Sequence, residues 1–167
     1  MIEINVTQAV LKQAAINAQE LGPLRNDTTG DNVMSNFIGE IVVAQFLGAS
    51  INNTSDYDLL LNNTKINVKA KRTSIPPRPH YECSMVAHDI RKQCDWYVFV
   101  RVRNDNYKAW IVGYLPKEEY FKTATLLKKG ETDPSGNFTV KADCYNVAIS
   151  SLRSLGSIIS DNFRRVL

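Results

Sequence analysis

A chain of 167 residues that is 44% apolar and 22% charged carries enough apolar side chain for one packed domain over residues 1–167, and its composition excludes a disordered chain. A net charge of +3 does not by itself argue for nucleic acid, and no apolar run approaches the ~18 residues that a membrane span requires. The start Met-Ile-Glu-Ile-Asn lacks a secretion signal, and three cysteines without a Cys-x-x-Cys pair read as reduced thiols, so a cytoplasmic protein is expected.

In chain order, Ile2 to Val6 alternate apolar and polar and predict a short strand. Thr7 is placed to cap a helix over 8–21, whose stripe is Val10, Leu11, Ala14, Ala18 and Leu21, and Gly22-Pro23 stops it. Residues 24–30 form a polar loop whose hydroxyls, amides and Arg25 suit phosphate contact. Asp31 is expected to cap a second helix over 32–48, closed by Gly48. Apolar residues cover nearly every face of that helix, so it is predicted to be buried, and from Phe37 to Leu47 its one charged side chain is Glu40. A carboxylate there must be paired, hydrogen-bonded or metal-bound, or its pKa rises. Gly39 beside it permits close approach of another backbone.

Asp58–Leu61 and Lys65–Ala70 read as a hairpin turning at Asn62-Asn63-Thr64, because Asn tolerates the left-handed backbone that tight turns need. Strand alternation puts Ile66, Val68 and Ala70 on one face and Asn67, Lys69 and Lys71 on the other. Ser74–Pro79, with Arg78, is an extended connection. Then follow a strand at 81–86, a short helix or turn at 88–92, a strand at 95–102 and its partner at 107–114. Pro116 opens a helix through about 127, short strands are expected at 138–140 and 145–149, and a helical tail starts within 152–155. This order describes an α/β domain with a mixed central β-sheet flanked by helices.

Glu40 on a buried helix, Asp58 opening a strand and Asn67-Val68-Lys69 on the next strand together resemble the PD-(D/E)XK nuclease superfamily. Its motif is an acid on one strand followed by acid-x-lysine on the next, often with an upstream helical glutamate. Gly39-Glu40-Ile41-Val42, the spacing to Tyr57-Asp58, and Val68-Lys69-Ala70-Lys71 are similar to small phage-encoded members, a group that includes homing endonucleases. The likeness covers residues 36–72. It implies a restriction-endonuclease-like core that hydrolyses phosphodiesters in double-stranded DNA with magnesium, or manganese in its place, in the host cytoplasm. Cutting both strands implies a homodimer. By position, Asp58 is the central metal ligand, and the Asn67 side chain and the Val68 carbonyl complete the protein's share. Glu40 serves a second metal or a water upon it, and Lys69 orients or activates the attacking water. Arg25, Lys71, Arg72 and Arg78 are the expected phosphate contacts.

The chain departs from the pattern at position 67, where the superfamily has Asp or Glu and this sequence has Asn. Three explanations stand: an isosteric inactivation, a natural member with weakened or altered metal use, or loss of catalysis with binding retained. The rival functions are a non-catalytic nucleic-acid-binding module on the same fold and a phage assembly or structural protein.

Overall fold

A computed structural model describes residues 1–21, 30–132 and 139–158. The elements are β1 (Ile2–Asn5), α1 (Gln8–Leu21), α2 (Gly30–Leu47), β2 (Ser50–Ile51), β3 (Leu59–Leu61), β4 (Thr64–Thr73), β5 (Glu82–Val86), β6 (Trp96–Arg103), β7 (Lys108–Pro116), α3 (Lys117–Thr123), β8 (Thr125–Leu127) and β9 (Cys144–Ala148). Short 3-10 turns cover Ala87–Arg91 and Ile149–Ser151.

The main sheet has the order β1-β7-β6-β4-β3-β2, and β4–β6 is its parallel pair among antiparallel neighbours. A second sheet, β5-β9-β8, stands apart from it. The fold is therefore mixed α/β, with helices against a mixed central sheet. A parallel pair needs a crossover connection; here it runs through β5 and the 3-10 turn.

Alternation along β4, β6 and β7 divides the core in two. Ile66, Val68, Val98, Val100, Val102 and Ile111 pack with Ile38, Val42 and Val43 of α2. On the opposite face, Tyr97, Phe99, Trp110 and Leu115 pack with Tyr120 of α3 and with Cys83, Met85 and Val147 of the second sheet. The near-uniform apolarity of α2 follows from its place between the main sheet and α1.

Several local expectations hold for physical reasons that are visible here. Thr7 Oγ1 accepts the Val10 N–H at 3.3 Å and caps α1. Asn62 turns the hairpin at φ 54°, and Gly48 closes α2 at φ 68°. Gly39 faces β4 so closely that a Cβ there would lie 2.9 Å from the Ala70 Cβ.

Others need correction. Helix α2 begins at Gly30, so Asp31 lies within the helix rather than ahead of it. Helix α3 ends at Thr123 instead of about 127, because Ala124 turns extended and Thr125–Leu127 pair with β9 as β8. Arg153 makes an antiparallel bridge to Tyr114, which holds the chain extended there, and helical residues start at 156. Strand β2 carried no recognisable pattern; it exists because Ser50 and Ile51 find β3. The expected strand residue Phe138 and the loop with Arg25 lie outside the described residues. No helix among the described residues is long and apolar enough to cross a membrane.

Candidate functional site at the fork of β3 and β4

Strand β3 accompanies β4 only as far as the pairing of Leu59 with Ile66. The Asp58 N–H donates to the Ile66 carbonyl at 2.9 Å, and there the two strands part. Beyond the fork, β4 runs on to Thr73 with β6 along its other edge. The Val68 N–H would be left open by this parting, and Asp58 Oδ2 accepts it at 2.7 Å. Within an extended strand the N–H and C=O of one residue point to the same side, so the Val68 carbonyl faces the same notch.

The loop before β3 holds Asp58 in place. The Asp58 carbonyl accepts from Asn52 and Asn53 N–H at 2.8 and 3.2 Å, with Asn53 left-handed at φ 44°. Thr54 Oγ1 accepts the Tyr57 N–H at 2.9 Å and donates to the Tyr57 carbonyl at 2.8 Å.

Glu40 approaches from α2. It and Asp58 line one cleft of about 470 Å³, together with Asn36, Phe37, Asn53 and Thr54. Burial, and secondly the charge of Asp58, raises the Glu40 carboxyl to about 8, and its buried Oε2 has no hydrogen-bond partner among the described residues. Burial also raises Asp58, opposed by the Val68 N–H and by the positive charges of Lys69 and Lys92.

Asn67 and Lys69 project from the other face of β4. Asn67 is 3% exposed; its Nδ2 donates to the Asp56 carbonyl at 3.3 Å, and its Oδ1 is buried without a partner among the described residues. Lys69 Nζ donates to Asp89 Oδ2 at 2.7 Å. Asp89, itself 3% exposed, sits on the 3-10 turn after β5, where its carbonyl accepts the Tyr97 hydroxyl at 2.9 Å. The following residues tie this turn to the loop before β3, because Lys92 Nζ donates to the Ser55 carbonyl at 2.7 Å and Gln93 N–H to Asp56 Oδ1 at 3.2 Å. Sequence reasoning missed Asp89. It stands alone in a short polar turn, and no spacing links it to Lys69.

Glu40 and Asp58 thus share one cleft beside the Val68 N–H, while Lys69, whose charge acts on Asp58, and buried Asn67 lie on the other face of β4. The expected phosphate contacts do not form one group. Lys71 is exposed and shares a face with Lys69, and Arg78 is exposed in the connection after β4. Arg72 falls on the opposite face of β4 from Lys71, where its guanidinium donates to the Asn104 carbonyl at 2.5 Å and to Asn104 Oδ1 at 3.4 Å. Lys71 and Arg72 therefore cannot both line a single groove by the strand's own geometry.

The chain matches no protein-family model and no curated protein.

The candidate oxygen donors are the Glu40 and Asp58 carboxylates and the Val68 carbonyl at the fork and, from the other face of β4, the Asn67 amide. Among the described residues no group of three or more His, Cys, Asp or Glu is arranged to hold a metal ion. An all-oxygen set of low charge suits a hard divalent cation such as magnesium, which keeps several of its waters and takes few protein ligands. Glu40 Oε2 and Asn67 Oδ1, buried without partners among the described residues, are each an acceptor of the kind that a cation satisfies.

Proposed function

We propose that this chain is a metal-dependent DNA endonuclease of the PD-(D/E)XK type, with a restriction-endonuclease-like core, whose activity is limited by Asn67. The observation that carries this reading is the fork. Asp58 is bonded to the Val68 N–H where β3 leaves β4, and it shares a cleft with Glu40, whose buried Oε2 has no partner among the described residues. A structural carboxylate would ordinarily be satisfied by its own fold.

Asp58, Asn67 Oδ1, the Val68 carbonyl and Glu40 would hold magnesium or manganese. When bound, the metal supplies Lewis-acid polarisation of the phosphate and a lowered pKa for attacking water. The chain's own residues do the rest. Asp58 is fixed by the Val68 N–H and by the loop before β3, so its carboxylate has a defined direction. Lys69 brings a positive donor to the phosphate as negative charge builds in the transition state. Lys71, Arg78 and Arg25 serve flanking phosphates of the duplex. Two copies acting as a homodimer would cut both strands.

Asn67 weakens this centre because an amide oxygen carries no full negative charge. The test is Asn67→Asp incubated with plasmid and magnesium, where restored cleavage that Lys69→Ala abolishes is the expected result. No cleavage, with Lys69→Ala indistinguishable from its parent, would sink the enzyme reading.

A second reading, a non-catalytic nucleic-acid-binding module, is favoured by one contact. Asn67 Nδ2 donates to the Asp56 carbonyl, a bond that a carboxylate at 67 would lose. Mobility-shift titrations at several salt concentrations address binding itself, since phosphate contacts weaken steeply as salt rises. A chain that binds no duplex at low salt would leave the structural or assembly role standing.

A further inference from the structure

We propose that Asp89 is a positioning residue of the same site, holding Lys69 beside Asp58 and supplying from outside the motif a buried negative charge that Asn67 lacks. The inference rests on the nuclease reading and deepens it.

Lys69 Nζ lies 2.7 Å from Asp89 Oδ2, and the two side chains are 25% and 5% exposed. A buried carboxylate needs a charged or hydrogen-bonding partner, and a lysine on a flexible four-carbon stem needs something to give it one location. The pair answers both needs. His88 Nε2, on a largely exposed ring, lies 3.7 Å from Asp89 Oδ1. Asp58 senses both partners, Lys69 as a favourable charge and Asp89 as an unfavourable one.

Asp89 is itself well held. Its carbonyl receives the hydroxyl of Tyr97, which is fully buried in the second core. The Lys92 N–H donates to the same carbonyl at 3.0 Å, and the Lys92 side chain reaches Ser55 in the loop that shapes Asp58. One short turn thus connects the lysine's anchor to the aspartate's loop. Two residues before Lys69 on the same face stands neutral Asn67, so Asp89 brings the buried acid to this face of β4. Such outer partners commonly matter to an active site about 10- to 100-fold when removed.

The experiment has two arms on the full chain. In the first, Lys69 is labelled with an amine-selective reagent and quantified against Lys12, an exposed lysine of α1. Asp89→Asn is expected to raise Lys69 labelling several-fold, and Asp89→Glu to bring it back toward the parent rate. Unchanged labelling in a folded Asp89→Asn chain would overturn the proposal, and so would failure of Asp89→Glu to retain the slow rate if Asp89→Asn does not fold.

In the second arm, Asp89→Asn is placed in the Asn67→Asp background and plasmid cleavage is measured. The expected result is a kcat about 10- to 100-fold lower with KM little changed, largely recovered by Asp89→Glu. Full activity of Asp89→Asn overturns the role. Raised labelling with no cleavage by Asn67→Asp itself overturns the nuclease reading beneath it and leaves Asp89 a structural partner of Lys69.

Discussion

Asp58 Oδ2 accepts the Val68 N–H at 2.7 Å, so a side chain replaces the rung that β3 no longer provides to β4. This one bond gives Asp58 a structural duty and a direction at once. Asp58→Asn keeps an oxygen acceptor for that N–H and is expected to change stability little while removing the charge. Asp58→Ala strands the N–H and is expected to cost about 1–3 kcal/mol. Thermal melts of the two variants check this, and equal losses would contradict it.

Glu40 makes stability depend on pH. Burial raises its carboxyl from an ordinary 4.5 to about 8, with Asp58 adding to the shift. Between those values the unfolded chain releases a proton that the folded chain keeps. Its contribution is therefore fully present below about 4.5 and is lost as pH rises to about 8, levelling above that. The loss is on the order of a few kcal/mol. Glu40→Gln cannot ionise, so its melting temperature is expected to fall less than the parent's between about pH 5 and about pH 8.5. Parallel curves for parent and variant would remove Glu40 as the cause.

Gly39 sets how closely α2 rides on β4. A Cβ there would meet the Ala70 Cβ at 2.9 Å, with the Val68 and Val100 side chains both 3.6 Å away. Gly39→Ala is expected to destabilise the chain by about 1–3 kcal/mol through overpacking, beyond the small gain that alanine brings to a helix. Ala70→Gly in the same chain opens the space and should recover part of the loss. Chemical denaturation of the single and double variants measures this, and strict additivity would argue against the contact.

The cysteines should react in a fixed order. Cys83 and Cys94 are buried, and burial pushes the Cys83 thiol up to about 11, whereas Cys144 is half-buried. A thiol reagent is expected to modify Cys144 first and the other two only on unfolding. Early modification of Cys83 in the native chain, located by peptide mapping, would contradict the packing between the sheets.

Much of the fold was legible because it is local. The capped stripe of α1, the hairpin at Asn62, the stop at Gly48 and the apolar strand β6 each follow from propensities and periods within a few residues. Glu40 stood out because a lone carboxylate in an apolar helix is a local anomaly, and Asp58, Asn67 and Lys69 because they share a short spacing. Thr125–Leu127 could not be read in this way, since its strand form depends on β9, nearly twenty residues onward in the chain.

By itself the sequence determined most of the elements, though not β2 or β8, together with the two faces of β4 and the small set of polar residues that apolar surroundings make costly. Only the tertiary structure decided where β3 leaves β4, that Asp58 fills the resulting gap, that Arg72 turns away to Asn104, and that Asp89 holds Lys69. The physical reason is the range of the interactions. A helix or strand pattern repeats within a few residues, whereas the Lys69–Asp89 pair joins side chains twenty positions apart through a parallel crossover that no local period records.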